Sequence, residues 1–109
     1  MYRVDGTTVT LTKGDSFYAQ IVIKNPAGTT YTPQQGDSVR FALKKRYQDA
    51  EPLILKDISI DTMLLSLAPE DTKDLKVGEY VYDVELTKAN GDVDTFVYEA
   101  QFNLTYEVH

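Results

Sequence analysis

The stretch Leu75-Lys76-Val77-Gly78-Glu79-Tyr80-Val81-Tyr82-Asp83-Val84-Glu85-Leu86 constrains this chain more than any other. Tyr80, Tyr82, Val84 and Leu86 share one face of an extended backbone, while Val81, Asp83 and Glu85 share the other. That period of two marks a half-buried strand. Asn90-Gly91-Asp92 follows, then a second strand-like run from Val93 to Ala100. Asn-Gly between such runs predicts a tight type I′ hairpin, because both central residues of that turn need positive φ. Gly78, Tyr80, Tyr82, Asn90 and Gly91 are therefore read as structural residues of this hairpin.

The remaining strands are predicted from the same alternation. Thr7 to Thr12 is rich in β-branched residues and reads as a short first strand, ended by the turn Lys13-Gly14-Asp15. Ser16 to Lys24 is predicted as one long strand, with Phe17, Ala19, Ile21 and Ile23 inward and Asn25-Pro26-Ala27-Gly28 as its turn. Thr29 to Asp37 reads as a polar loop. Val39 to Lys44 is a clean strand with Val39, Phe41 and Leu43 inward, and Lys45 to Pro52 is a polar connection. Leu53-Ile54-Leu55-Lys56 and Met63-Leu64-Leu65-Ser66-Leu67 are apolar runs whose buried face the pattern leaves open. A helical turn is expected over Pro69 to Leu75, with Pro69 at its first position and acidic residues behind it. Gln101 to Val108 alternates again, either continuing the preceding strand past a bend or pairing separately. The Gly-x-Tyr-x-Tyr start after Leu75 also resembles the corner where an immunoglobulin-like sandwich begins a core strand. These elements predict an all-β, immunoglobulin-like antiparallel β-sandwich of about seven strands, as a single domain over residues 1–109.

Composition narrows the chemistry. With no Cys, neither a disulfide framework nor a thiol nucleophile is available. The single His is the last residue, His109, a poor place for a triad or a metal ligand. Gly14, Gly28, Gly36, Gly78 and Gly91 have no phosphate-loop spacing and read as turn residues. Of two carboxylate groups, Asp57 and Asp61 with Glu70 and Asp71 could meet at one end of the sandwich and bind Ca²⁺, but the spacing of a calcium loop is missing and solvated or capping roles fit better. Asn90, Asp92 and Asp94 are explained by the hairpin. No enzyme activity, cofactor or metal is expected. No apolar run is long enough to span a membrane and Met1 to Gly6 has no signal-peptide core, so a soluble chain made in the cytoplasm is expected.

The net charge of −6 is uneven: residues 1–54 carry +2 and residues 55–109 carry −8. An acidic chain is not expected to bind nucleic acid. The asymmetry reads either as a solvated acidic face or as packing in which Lys44-Lys45-Arg46 meets an acidic patch of a neighbour. Tyr2, Tyr18, Tyr31, Tyr47, Tyr98 and Tyr106 cannot all be core; they read either as scattered rim packing or as an interface or sugar-stacking platform. Tyr31, Tyr47, Lys44, Lys45 and Arg46 are the candidate interface residues. An exposed strand edge is the other candidate partner surface.

Four segments in order carry a family resemblance. They are Thr10-Leu11-Thr12-Lys13-Gly14-Asp15-Ser16-Phe17, Val39-Arg40-Phe41-Ala42-Leu43-Lys44-Lys45, Leu67-Ala68-Pro69-Glu70-Asp71-Thr72-Lys73-Asp74-Leu75, and Gly78 to Leu86. Together they resemble immunoglobulin-like structural domains of tailed bacteriophages and prophages, such as baseplate upper-protein N-terminal domains and related tail, head-fibre and neck modules. The resemblance implies a non-catalytic virion structural or assembly module that works through protein contacts, with other virion or prophage proteins as partners and homo-oligomers common. It places the chain in the virion, or in the bacterial host cytoplasm before assembly. Baseplate upper proteins continue into further segments, so the chain is expected to be a stand-alone structural protein or a piece of a longer one. A carbohydrate-binding or adhesin module is the alternative, resting on the exposed tyrosines; an enzyme accessory domain is permitted by the fold alone.

Overall fold

A computed structural model describes residues 2–24 and 27–106, the side chains of Phe96, Tyr98 and Glu99 apart. Asn25 and Pro26 of the expected turn, the Tyr98 ring, and the chain end with Val108 and His109 lie outside the described residues. The regular structure of the described chain is almost wholly β. Its strands are β1 (Tyr2–Asp5), β2 (Thr8–Thr12), β3 (Phe17–Gln20), β4 (Ile23–Lys24), β5 (Thr30–Tyr31), β6 (Ser38–Lys44), β7 (Ile54–Ile58), β8 (Leu64–Leu67), β9 (Gly78–Thr87) and β10 (Val93–Thr105), with one short helix, α1 (Pro69–Thr72).

The main sheet has six strands in the order β1-β2-β10-β9-β6-β7, and β3-β8 and β4-β5 form two small sheets. Its inward residues are those the alternation predicts: Val39, Phe41 and Leu43 of β6 and Tyr80, Val84 and Leu86 of β9 are buried. They form one hydrophobic cluster with Phe17, Leu65 and Leu67 of the β3–β8 pair. Phe102 of β10 stands at its centre, with ring centroids 6.3 Å from Phe17, 6.5 Å from Phe41 and 6.2 Å from Tyr82.

Three features differ from the sequence expectation, and the open reading of the stretch from Gln101 resolves as a continuation of the preceding strand. The main sheet is mixed rather than wholly antiparallel: β2 joins β10 in parallel, Phe102 opposite Val9 and Leu104 opposite Leu11. β10 runs on past its two register shifts, so Gln101 to Thr105 belongs to the same strand as Val93 and pairs with β9 and β2 at once. The described residues form ten strands, three more than expected, because β1 alternates over only four residues, β5 is only two residues long, and one predicted strand is split. That strand, Ser16 to Lys24, breaks at Ile21 and Val22: β3 pairs with β8 and β4 with β5. At the break the Ile21 N–H donates to the Met63 carbonyl at 2.8 Å, and Met63 is the only described non-glycine residue with positive φ (51°).

The hairpin forms where expected, with a different turn. Lys88 N–H donates to the Asp92 carbonyl at 2.7 Å and Gly91 N–H to the Lys88 carbonyl at 2.9 Å, leaving Ala89, Asn90 and Gly91 as a three-residue loop. Only the last of these, Gly91 (φ 95°), has positive φ, as in loops closed by a left-handed glycine. Asn90 instead accepts the Asp92 N–H on Oδ1 at 2.9 Å. α1 is shorter than expected: Pro69 opens it, Asp71 Oδ2 accepts the Ala68 N–H at 2.7 Å, and the chain leaves it at Lys73. The fully buried Thr72 accepts the Gly14 N–H on Oγ1 at 3.1 Å, tying α1 to the turn between β2 and β3.

Tyr80 closes the corner before β9. Its buried ring sits in the core while its hydroxyl donates to the Lys76 carbonyl, four residues upstream, at 2.5 Å. Tyr80→Phe should cost about 1 kcal/mol, the usual net worth of a hydrogen bond, and lower Tm by roughly 4–8 °C. Thermal melts of both proteins check this, and an unchanged Tm would show that the corner is held by ring burial alone.

Candidate interaction surface

Each candidate interface residue has a definite place. Tyr31 is engaged within the chain: its hydroxyl donates to Asp37 Oδ2 at 2.6 Å, and Lys88 Nζ lies 5.3 Å from its ring centre. Asp37 also accepts the Gln34 N–H at 2.9 Å and, on Oδ1, the Ala89 N–H at 3.1 Å. One carboxylate thus joins the loop before β6 to the β9–β10 hairpin loop. Tyr31 and Gln34 are local to Asp37, but the hairpin loop with Ala89 and Lys88 comes from a distant segment, and that part of the junction was not legible in the sequence.

The electrostatics of this junction follow from those contacts. The Tyr31 hydroxyl, then the Gln34 N–H, with smaller help from Ala89 N–H and Lys88, holds the Asp37 carboxyl below its ordinary range. A carboxylate depressed on folding contributes stability that is present above its unfolded value, near pH 3.9, and lost as pH falls through the folded value. Tyr31 is raised, first by its hydrogen bond to Asp37, so its share is present below about pH 10 and lost as pH rises through its folded value. Between about pH 5 and pH 2.5, Tm of Asp37→Asn should fall less than that of the unaltered protein. Equal slopes would remove Asp37 from the acid response.

The basic triplet does not form one patch. Lys45 turns onto the corner, donating to the Glu79 carbonyl at 3.0 Å with Nζ 4.7 Å from the Tyr80 ring centre. Gly78 beside it has φ 154°, a backbone conformation that side chains rarely adopt. Arg46 begins a turn, its N–H donating to Asp49 Oδ2 at 3.0 Å, with the exposed Tyr47 between them. Lys44 lies elsewhere, on the outer face of the main sheet. Tyr82, the other structural tyrosine, is half-buried, its hydroxyl donating to the Thr7 carbonyl at 2.5 Å.

Asp57, Asp61, Glu70 and Asp71 are not gathered at one point: Asp71 is committed to the Ala68 cap and to Lys56 Nζ at 3.0 Å. Among the described residues no three His, Cys, Asp or Glu side chains converge to hold a metal ion. An apolar crevice of about 200 Å³ opens between the sheets over Phe17, Phe41, Tyr82 and Phe102. It is below the size usual for small-molecule sites, roughly 300–1,000 Å³. At one end of the molecule the Tyr106 ring, 76% exposed, borders a depression with Lys13 and Lys73.

The largest regular surface is the outer face of the main sheet. Arg40, Ala42, Lys44, Leu55, Asp83 and Glu85, with Ala50 and Pro52 of the β6–β7 connection at its side, line one shallow depression there. The register sets Arg40 beside Glu85, Ala42 beside Asp83 and Lys44 beside Val81. Arg40 Nη2 and Glu85 Oε1 are 3.2 Å apart, and Leu55 on the outer strand is 53% exposed. Period-two alternation in β6 and β9 places their residues outward, so that part of the surface was legible one strand at a time; the outward place of Leu55 and the assembly of β6 beside β9 were not.

No protein-family model matches the chain, and comparison with curated proteins gives no match. Among the described residues no helix is long and apolar enough to cross a membrane.

Proposed function

We propose that this chain is a non-catalytic structural or assembly module of a tailed phage or prophage, of baseplate, tail or head-fibre type, and that it acts through protein–protein contacts. Its partners are other virion or prophage structural proteins, or copies of itself. The observation that carries the contact role is the outer face of the main sheet, broad and regular, on which basic β6 and acidic β9 run side by side around Ala42 and Val81.

The fold part of the reading is an immunoglobulin-like sandwich. With β3, β6, β7, β8, β9 and β10 in the places of strands B, C, C′, E, F and G, the order β10-β9-β6-β7 corresponds to G-F-C-C′ and β3-β8 to the B–E pair. Tyr80 at the start of β9, bonded back to the Lys76 carbonyl, has the arrangement of a tyrosine corner. The four family-like segments coincide with the β2–β3 turn, β6, the α1 region and β9, the parts that build this frame.

Co-expression with the products of the neighbouring genes, followed by size-exclusion chromatography with light scattering, tests the assembly role. Stoichiometric co-elution with one of them, or a defined homo-oligomer, is expected; a strictly monomeric chain that binds none of them would end it. The second reading, a carbohydrate-binding or adhesin module, is favoured by one observation, the exposed Tyr106 ring beside Lys13 and Lys73. Binding on a glycan array that Tyr106→Ala abolishes would establish it instead.

A further inference from the structure

We propose that two copies of this chain pack face to face through the outer surfaces of β6 and β9, related by a two-fold axis that runs along the strands midway between them. The proposal names the partner for the assembly role above and rests on that reading.

The argument is charge complementarity. Outward residues of β6 include Arg40 and Lys44; outward residues of β9 include Glu79, Asp83 and Glu85. One column is basic and its neighbour acidic, at the same height, because the two strands are antiparallel with Arg40 opposite Glu85. A two-fold axis along the strands keeps each residue at its height and exchanges the columns. Arg40 then faces the partner's Glu85 and Glu85 faces the partner's Arg40, so each exposed ion pair becomes part of a four-charge cluster. Lys44 falls opposite the partner's Val81, between the partner's Glu79 and the partner's Asp83. Ala42, short and half-buried, lets the two faces approach. Beyond β9 the outward Gln101 and Asn103 of β10 are uncharged; among the described residues the other charges on this face are Asp57 on β7, next to the Arg40 column, and the Arg3–Asp5 pair on β1, away from the central columns.

The magnitude sets what kind of dimer this is. Four strands about 4.8 Å apart, each about seven residues at roughly 3.4 Å, give a plane of roughly 450 Å² per copy. That is below the ~800 Å² per partner of stable complexes, so the dimer is a weak, reversible one whose population rises with protein concentration. Each copy carries −6, and at about 0.15 M salt this overall repulsion is screened beyond about 8 Å while the facing columns are closer.

The test uses light scattering at about 0.15 M salt over a concentration series on three proteins: the unaltered chain, the variant Arg40→Glu/Lys44→Glu, and the variant Asp83→Lys/Glu85→Lys. Far-UV circular dichroism on each checks folding. The unaltered chain is expected to move from 12.3 kDa toward twice that mass. Each variant alone should stay monomeric, at least tenfold weaker in self-association, because its two columns have the same sign. An equimolar mixture of the two should regain the dimer, which a folding defect would not allow. A monomeric unaltered chain, variants that dimerise alone, or a mixture that stays monomeric would each overturn the proposal. A monomer that still co-elutes with a neighbouring gene product would sink this face and leave the assembly role standing.

Discussion

Phe102→Ala should lower stability by about 3–5 kcal/mol, the largest loss expected from any single truncation in this chain. Phe102 is 1% exposed and contacts three other rings, from β3, β6 and β9. Its strand is also where the parallel and antiparallel ladders meet, Val9 on one side and Tyr80 on the other. Removing the ring therefore leaves a cavity that no single neighbour can fill, since rigid strands flank it on both sides. With about 5–15 kcal/mol in total for a domain of this size, the variant should be close to unfolding at room temperature. Urea unfolding followed by circular dichroism checks it: the midpoint should fall sharply with little change in slope. Phe102→Leu, which keeps most of the volume, should lose about 1.5 kcal/mol or less. A loss below about 1 kcal/mol for the alanine variant would mean the ring is not at the centre of the core.

Gly36→Ala should be the most damaging change outside the core, costing at least about 2 kcal/mol. Two separate effects add here. Gly36 has φ 93°, a conformation that a side chain resists, and a Cβ at this position would stand 2.8 Å from the Cβ of Ala89. That neighbour is fixed to the backbone of the β9–β10 loop, so it can move only if the loop moves. The same loop is held by the Ala89 N–H to Asp37 Oδ1 bond, which the displacement would stretch. A double-mutant cycle separates the two effects. Ala89→Gly in the Gly36→Ala background should recover the part due to the clash and leave the part due to φ. If it recovers nothing, the contact between the two loops is not what makes glycine necessary.

The elements that the sequence reading placed correctly are those that bury one face through a run of alternation. β6 and β9 each alternate over several residues, so their inward sets are set by a period that a one-residue slip would invert. Turn chemistry was nearly as legible, through Pro69 and the Asn90-Gly91 pair, although the loop takes three residues and leaves Asn90 with an ordinary φ. β1 was hard to read because Tyr2-Arg3-Val4-Asp5 alternates over only four residues; β2 offers it an edge, and the Tyr2 ring packs edge-on against Phe17 at 4.8 Å. The break at Ile21 was illegible for a related reason. Phe17, Ala19, Ile21 and Ile23 keep their period straight through it, while the hydrogen-bond partner changes from β8 to β5.

The candidate surface shows the same division. Tyr31 looked available as a lone aromatic in a polar loop, and it is held by Asp37 and Lys88, which lie close in space as well as, for Asp37, in sequence. Lys44, Lys45 and Arg46 looked like one basic patch because they are consecutive, and successive residues at a strand end point in different directions. The charge imbalance between the two halves of the chain was visible; that it becomes two adjacent columns depends on β6 lying beside β9, with partners as distant in the chain as Arg40 and Glu85.

By itself, then, the sequence determined which residues turn inward, where most turns fall, and that the chain builds a β-rich core around Phe41, Tyr80, Val84 and Leu86. These follow from local periodicity, which every residue carries with it. Only the tertiary structure decided strand order, the parallel joining of β2 to β10, the exchange of partners at Ile21, and the meeting of Gly36 with Ala89. Those are pairings between distant segments. A backbone N–H or C=O looks the same in every residue, so nothing local says which strand will satisfy it.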